Sequence, residues 1–369
     1  MKYYLISGEA SGDLHGSHLI AALKKLDSNA RFRAWGGSLM EKEGAELVKH
    51  FKDLAFMGFW EVLKNLLNIL KNITLCKDDI LEFNPNVIIY VDYPGFNLRI
   101  ARWAKSKGFK NHYFISPQVW AWKESRVQKI KKFIDSLYVI LPFEKTFFEE
   151  KHKFKVHYVG HPLMDYIPSH QENKKFLSAN LMDESKPIIS LLPGSRIQEI
   201  KKMLPIFVQV ARKFPNHQFV IAAAPSVNQK YYNYLTQNIP LKIIYGATYD
   251  LLQHSKAALV TSGTATLETA LFKVPQLVCY RSSYLNYWIA KRILKIKYIS
   301  LVNLILDNEV VLELIQGECN SKRLVKELKN LINSKDKTEQ ERYKILFSIL
   351  GSGGAIEKTA DLIYKATIN

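Results

Sequence analysis

The sequence predicts an α/β protein built from two doubly wound, Rossmann-like parallel-sheet domains that face each other. Three observations lead there. A strand, a glycine-containing loop and a helix recur at residues 3–26, 188–214 and 258–272. The strands are near-continuous apolar runs, the pattern of parallel strands covered on both faces. A largely polar connection, residues 160–186, holds Pro162 and Pro168 and runs directly into Pro187, so it reads as a linker between two such arrays. At 369 residues the chain is long for one domain and comfortable for two.

Lys2–Ser7 is the first apolar strand. Gly8-Glu-Ala-Ser-Gly-Asp-Leu-His-Gly16 follows as a loop and Ser17–Leu26 as a helix. The spacing of Gly8, Gly12 and Gly16 is not the dinucleotide-binding fingerprint. Glu9 and Asp13 make this loop acidic, which argues against a phosphate seat. Two readings remain: carboxylates that meet hydroxyls or an acceptor nucleophile, or capping carboxylates of a tight β–α turn. Ala30–Trp35 is the next strand. In Phe51–Ile73, Phe59, Val62, Leu63, Leu66, Leu67, Leu70 and Ile73 recur at helical spacing, with Leu54, Phe56, Met57 and Trp60 adding bulk at its start. The stripe fits a core helix, the usual answer for such a pattern; the alternative is a surface that meets acyl chains or a bilayer.

Val87–Val91 reads as a central strand ending at Asp92-Tyr-Pro-Gly-Phe-Asn97. An acid just past the C-terminal end of a parallel strand lies on the edge where α/β enzymes place their chemistry. Asp92 is therefore a candidate general base; the alternative is a carboxylate that ties down the Pro94-Gly95 turn. His112–Ser116 is a strand, Lys123–Lys132 a basic helix, and Asp135–Ile140 and Val156–Val159 complete the first array.

Pro187–Leu192 starts the second array, followed by Pro193-Gly-Ser-Arg196 and a helix over Ile200–Phe214. Gly194 and Ser195 can cradle an oxyanion, and Arg196 can fork onto a diphosphate without a metal. Strands at Gln218–Ala223 and Leu241–Tyr245 and a helix at Tyr249–His254 precede the strand ending at Val260. Thr261, Ser262, Gly263 and Thr264 then turn the chain into a helix with Leu267, Ala270 and Leu271 on one side. This is either an anion seat at a helix start or a plain helix cap. Glu268, one turn on, is poorly placed for phosphate and suits sugar hydroxyls. Gln276–Tyr280 is a strand, Arg281–Tyr298 a basic aromatic helix, and Ile356–Tyr364 an amphipathic last helix after Gly351-Ser-Gly-Gly354.

Composition narrows the function classes. With 47% hydrophobic and 12% aromatic residues the chain can bury large cores and is not disordered. Its three cysteines, Cys76, Cys279 and Cys319, are widely spaced, with neither metal spacing nor a disulfide framework, which fits a reducing compartment. The N-terminal stretch reads as a strand rather than a signal peptide. The nearest approach to a spanning segment, Leu54–Leu70, is interrupted by Glu61 and Lys64. The formal charge of +18 points to an anionic partner or to lineage bias, and no nucleic-acid-binding module pattern is present.

Several runs together resemble the lipid-A-disaccharide synthase family, bacterial glycosyltransferases of the GT-B arrangement. They are Ser7-Gly-Glu-Ala-Ser-Gly-Asp13, Ser116-Pro-Gln-Val-Trp-Ala-Trp122, Leu141-Pro-Phe-Glu-Lys145, Val159-Gly-His161, Leu191-Leu-Pro-Gly-Ser-Arg196, Thr261-Ser-Gly-Thr-Ala-Thr-Leu-Glu268 and Ser300-Leu-Val-Asn-Leu304. Their order and combination are specific and span nearly the whole chain. The resemblance implies a domain of residues 1–165, completed by a C-terminal helix at 354–369, and a UDP-sugar-binding domain of residues 166–350. It implies transfer, with inversion, from UDP-2,3-diacylglucosamine to 2,3-diacylglucosamine 1-phosphate (lipid X), giving a β-1,6-linked disaccharide 1-phosphate and UDP. Asp92, Glu9 and Arg196 are then the catalytic candidates. Gly194, Ser195, Arg196, Ser262, Gly263, Thr264, Thr266, Glu268 and Asn303 are the donor-binding candidates. Ser11, Asp13, Met57, Phe59, Trp60, Trp288, Lys291 and Arg292 are candidates for the acceptor or a membrane. No metal and no other cofactor is expected. The expected partners are the two acylated sugars, an anionic inner-membrane surface and a second copy of the chain through the C-terminal region, and no nucleic acid. The expected location is the cytoplasm, peripherally on the inner face of the membrane. Rival readings are a UDP-sugar epimerase or hydrolase on the same frame, or a catalytically idle nucleotide-sugar-binding protein.

Overall fold

The structure is a computed structural model that describes residues 1–54, 66–236, 239–283, 287–288, 292, 296–334 and 338–368. It divides into two units, Met1–Asp165 with Gly353–Asn369, and Tyr166–Ser352.

The first unit holds a sheet of seven strands: β1 (Lys2–Ser7), β2 (Arg31–Gly36), β3 (Glu46–His50), β4 (Val87–Val91), β5 (Lys110–Phe114), β6 (Ser136–Val139) and β7 (His157–Tyr158). Their order is β3-β2-β1-β4-β5-β6-β7, and every pairing is parallel. The chain winds outward in one direction from β1 and in the other from β4, so the winding reverses between these two strands. In such sheets ligands bind at that reversal, outside the C-terminal strand ends. All five β4 side chains are buried, as the apolar run requires. The last helix, Ala355–Ile368, packs on the Ala10–Leu26 helix and returns the C-terminus to this unit. Asp165 anchors it by accepting from the Ala355 and Ile356 amides at 3.0 and 2.7 Å.

The second unit is a six-stranded parallel sheet. Its strands are β8 (Ile188–Leu192), β9 (Gln218–Ala223), β10 (Lys242–Tyr245), β11 (Ser255–Thr261), β12 (Gln276–Tyr280) and β13 (Leu312–Ile315). The order is β10-β9-β8-β11-β12-β13, so the reversal here lies between β8 and β11. Side-chain alternation divides its core. Phe219 and Ile221 pack with the 197–211, 229–235 and 321–333 helices, whereas Val220 and Ala222 pack with Leu251, Leu252 and Phe176 on the other face.

Three sequence expectations change, and one open reading is divided. The Gly8–Gly16 run is not a loop: the helix already begins at Ala10, with Gly12 and Gly16 inside it. They are glycines because of close packing. A Cβ on Gly12 would meet Ser7 Cβ at 2.8 Å, and one on Gly16 would meet Met40 Cε at 1.9 Å. The basic helix begins at Arg126 rather than Lys123, whose φ of +53° breaks it. The apolar stripe divides between its two readings. Leu66–Phe83 is a helix that buries Ile73, Cys76, Ile80 and Phe83, while Leu67 and Leu70 are exposed at 74% and 49%. Residues 55–65, with Met57, Phe59 and Trp60, lie outside the described residues. The 160–186 connection is more than a polar linker, because Leu163, Met164, Ile167, Phe176 and Met182 are buried along it. The short strands β3 and β13 have no counterpart in the sequence reading.

Candidate functional site

In the first unit the reversal joins the ends of β1 and β4. Ser7 pairs in register with Val91, so Gly8-Glu9 and Asp92-Tyr93 emerge side by side. The two loops touch: a Cβ on Gly8 would meet the Tyr93 ring at 2.5 Å. Asp92 and Tyr93 both adopt left-handed backbone, with φ of +46° and +52°. Such conformations cost on the order of 1–3 kcal/mol each for non-glycine residues and persist where neighbours over-determine them. Here Asn97 does so, donating to the Asp92 carbonyl at 2.6 Å and to the Ile6 carbonyl at 3.3 Å, and the Tyr113 hydroxyl donates to the same Asp92 carbonyl. Asp92 itself is half-buried, directly past the end of β4 at the reversal. Glu9 is the residue before the 10–26 helix and is half-buried beside Tyr93, whose hydroxyl is pushed up mainly by burial and then by the Glu9 charge.

Asp13 has another task. It is 3% exposed, and its carboxylate accepts from the backbone amides of Gly37, Leu39 and Met40 at 2.8, 3.1 and 3.1 Å. It therefore caps the neighbouring Ser38–Lys42 helix, which removes it from the acceptor candidates. Ser11, half-buried in the first turn of the 10–26 helix, stays at the same edge.

Glu144 was not singled out by sequence. It is 1% exposed and accepts from Ile140 and Leu141 amides at 3.1 and 2.9 Å and from Trp120 Nε1 at 3.2 Å. Burial pushes its carboxyl up to about 7 against those donors, with the Asp92 charge adding to the rise. The available signal was Leu141-Pro-Phe-Glu144, a helix start with proline first and a capping glutamate third.

In the second unit the reversal brings the Pro193–Arg196 loop against the Ser262–Thr264 turn. Gly194 has a φ of +113°, and a Cβ there would meet Glu199 Oε2 at 2.6 Å. Glu199 fills the cradle that sequence reasoning left for an oxyanion. Its Oε2 accepts from the Ser195 and Arg196 amides at 3.1 and 3.3 Å, and its Oε1 pairs with Arg196 Nη1 at 3.0 Å. The correction has a plain cause: a glutamate at the third position of a helix reaches back to the amides of the cap residue and the residue before it. The loop thus already binds a carboxylate, and Arg196 remains 39% exposed beside it.

The Ser262–Thr264 turn opens the eight-residue helix Thr264–Leu271. A Cβ on Gly263 would meet nothing within 4 Å, so the space above the turn is open to a ligand. Ser262 donates through Oγ to the Ile299 carbonyl at 2.7 Å and through its amide to the Cys279 carbonyl at 3.0 Å. Thr266 is buried and donates to the Gly263 carbonyl at 2.8 Å, so it shapes the turn rather than facing a ligand. Asn303 is fully buried. Its Nδ2 donates to the Val311 carbonyl and Glu313, both at 2.8 Å, and its Oδ1 accepts from the Val310 and Val311 amides at 2.8 and 3.0 Å. With all its hydrogen-bonding capacity engaged inside the protein, Asn303 does not reach a donor directly. Its partner Glu313 also holds the Ile299 and Ser300 amides behind Ser262. Glu268 is half-buried and accepts from the Tyr249 hydroxyl at 2.9 Å; burial raises its carboxyl and that bond opposes the rise.

Of the remaining candidates, Arg292 lies 3.5 Å above the ring of Trp288, which is 53% exposed. Lys291 lies outside the described residues. The described residues preceding and following, 281–283 and 296–298, are not helical, so the expected 281–298 helix is shorter than its periodicity suggested. Among the described residues no helix is long and apolar enough to cross a membrane.

Comparison with known proteins adds an independent line. A family model described as lipid-A-disaccharide synthetase matches residues 3–363. The chain is 36% identical to the lipid-A-disaccharide synthase of Syntrophus aciditrophicus, covering 96% of this chain and 95% of that one. It is 35% identical to that of Geobacter metallireducens, covering 99% and 97%. Among solved structures, the S. aureus MnaA–UDP co-structure superposes with a TM-score of 0.68 at 14% identity, covering 99% and 96%. The glycotransferase of kitacinnamycin gives 0.66 at 14% identity, covering 99% and 98%. The UDP-GlcNAc 2-epimerase of Neisseria meningitidis bound to UDP-GlcNAc gives 0.63 at 14% identity, covering 99% and 100%. At such identities these structures establish the fold alone.

Proposed function

The chain belongs to the lipid-A-disaccharide synthase family, and from that membership we propose how its own residues divide the work of the reaction. It is a glycosyltransferase of lipid A biosynthesis that takes a UDP-sugar donor. The donor is UDP-2,3-diacylglucosamine and the acceptor is lipid X. The acceptor 6-hydroxyl attacks the donor anomeric carbon. The bond from that carbon to the phosphate oxygen breaks, and its electron pair leaves on UDP. The hydroxyl proton passes to Asp92, and the single displacement inverts the configuration. Glu9 orients the acceptor from the adjoining loop.

The Pro193–Arg196 loop and the Ser262–Thr264 turn hold the leaving diphosphate. The observation that carries this reading is the open space above the Gly263 turn, where a Cβ would meet nothing within 4 Å, together with the Arg196 guanidinium, which is 39% exposed. An exposed pair like Arg196–Glu199 is worth only about 0–1 kcal/mol, so a doubly charged diphosphate recruits the guanidinium at small cost. Glu268, with Tyr249, takes the ribose hydroxyls. Arg196 supplies the stabilisation that a metal gives elsewhere, so turnover persists in a chelator. Leu67, Leu70 and the Trp288–Arg292 pair supply contacts to an anionic inner-membrane surface, and the chain works as a homodimer.

The experiment is to incubate the protein with both acylated sugars and to look for the disaccharide by mass spectrometry. Asp92→Asn and Arg196→Ala should each lower UDP release at least a hundredfold. Near-normal turnover in either variant would remove the role given to that residue. UDP-sugar turnover without acceptor would favour an epimerase or hydrolase instead.

A further inference from the structure

The C-terminal edge of the second sheet carries another basic feature that the reading above does not use. Lys202 lies on the 197–211 helix, and Arg281 follows β12 directly. With Ser282 and Ser283 they line a hollow of about 480 Å³. Its rim is built. Gln316, just past β13, accepts from the Ser282 amide at 3.0 Å and donates to Ser282 Oγ at 3.2 Å, while its own amide donates to the Tyr280 carbonyl at 2.8 Å. No ion pair among the described residues joins Lys202 or Arg281 to a carboxylate. Burial, and then the Arg281 charge, pull the Lys202 amine below the usual lysine range. Two cations that share a hollow with no ion-pair partner among the described residues repel each other, and an anion between them relieves that repulsion. A phosphate accepts several charge-assisted bonds at once, so one group can engage both cations.

We propose that the Lys202–Arg281 hollow binds a phosphate group, with the two cations neutralising it. The site goes beyond the donor assignment, which rests on residues 194–196 and 262–264. Three sources share this chemistry: the diphosphate of a nucleotide, a sugar 1-phosphate and a lipid headgroup.

The test uses the full chain and calorimetric titration with inorganic phosphate, UDP, uridine and glucosamine 1-phosphate, plus sedimentation with neutral vesicles and with vesicles containing phosphatidic acid. Lys202→Gln and Arg281→Gln should each weaken phosphate binding about tenfold, whereas Lys201→Gln, an exposed neighbour outside the hollow, should leave it unchanged. Weaker UDP binding with uridine unaffected identifies a nucleotide. Weaker glucosamine 1-phosphate binding identifies a sugar phosphate, and loss of sedimentation confined to phosphatidic acid vesicles identifies a headgroup. Lys202→Gln keeps the test decisive if Arg281→Gln melts early, because Lys202 sits on a helix surface. Unchanged phosphate binding in Lys202→Gln, or an equal loss in Lys201→Gln, overturns the proposal. Arg196→Ala, with both cations intact, reports on the donor loop separately.

Discussion

Asp13→Asn separates a structural carboxylate from an acceptor-binding one. The wild-type carboxylate accepts three backbone amides, from Gly37, Leu39 and Met40, and is 3% exposed. Gly37 and Leu39 are served by different oxygens, so an asparagine keeps one acceptor and turns an NH2 group toward at least one amide. Hydrogen bonds to a charged group are worth about 1.5–3 kcal/mol, and a buried donor left unpaired costs about 1–3 kcal/mol. The expected loss is therefore about 2–4 kcal/mol. For a unit of this size each kcal/mol moves Tm by about 2–4 °C, so calorimetry should show the transition of the N-terminal unit falling by about 5–15 °C. Turnover measured well below that transition should stay within about threefold of wild type, since the side chain faces backbone amides. A variant that melts like wild type but loses turnover a hundredfold would refute this reasoning and return Asp13 to the acceptor site.

Three further outcomes are expected. Gly194→Ala should weaken UDP binding at least tenfold by calorimetry, because its φ of +113° and the 2.6 Å approach to Glu199 leave no room for a methyl group; unaltered affinity would count against the loop as the diphosphate seat. Glu144, raised by burial to about 7 from an unfolded value of 4.5, binds more protons folded than unfolded between those values. Its contribution is thus fully present below about pH 4.5 and is lost as pH rises through about 7, so chemical denaturation of Glu144→Gln against wild type should show a stability difference that changes across that window, and a flat difference would contradict the burial argument. Replacing the exposed Leu67 and Leu70 with serine should reduce co-sedimentation with anionic vesicles while leaving Tm within a degree or two, since neither side chain packs in the core; unchanged sedimentation would exclude that face.

The sequence by itself determined the two parallel-sheet arrays. Apolar strands covered on both faces, such as Val87–Val91 and Ile188–Leu192, need neither alternation nor partners to be recognised. It also placed Asp92, Arg196 and Gly263 at strand ends and helix starts, because turn and capping chemistry is local. Edge strands β3 and β13 escaped, since short half-exposed strands carry little apolar signal. What only the tertiary structure decided was which local groups meet. The reversals between β1 and β4 and between β8 and β11 bring Glu9 to Asp92 and Arg196 to the Ser262 turn, across separations that no periodicity encodes. Long-range hydrogen bonding likewise reassigned Asp13 to the amides of Gly37–Met40 and enclosed Asn303 against Glu313. A carboxylate or amide reads the same in sequence whether it awaits a ligand or serves the backbone. Only the positions of the amides around it distinguish the two, because a buried polar group binds whatever donors the fold brings within about 3 Å.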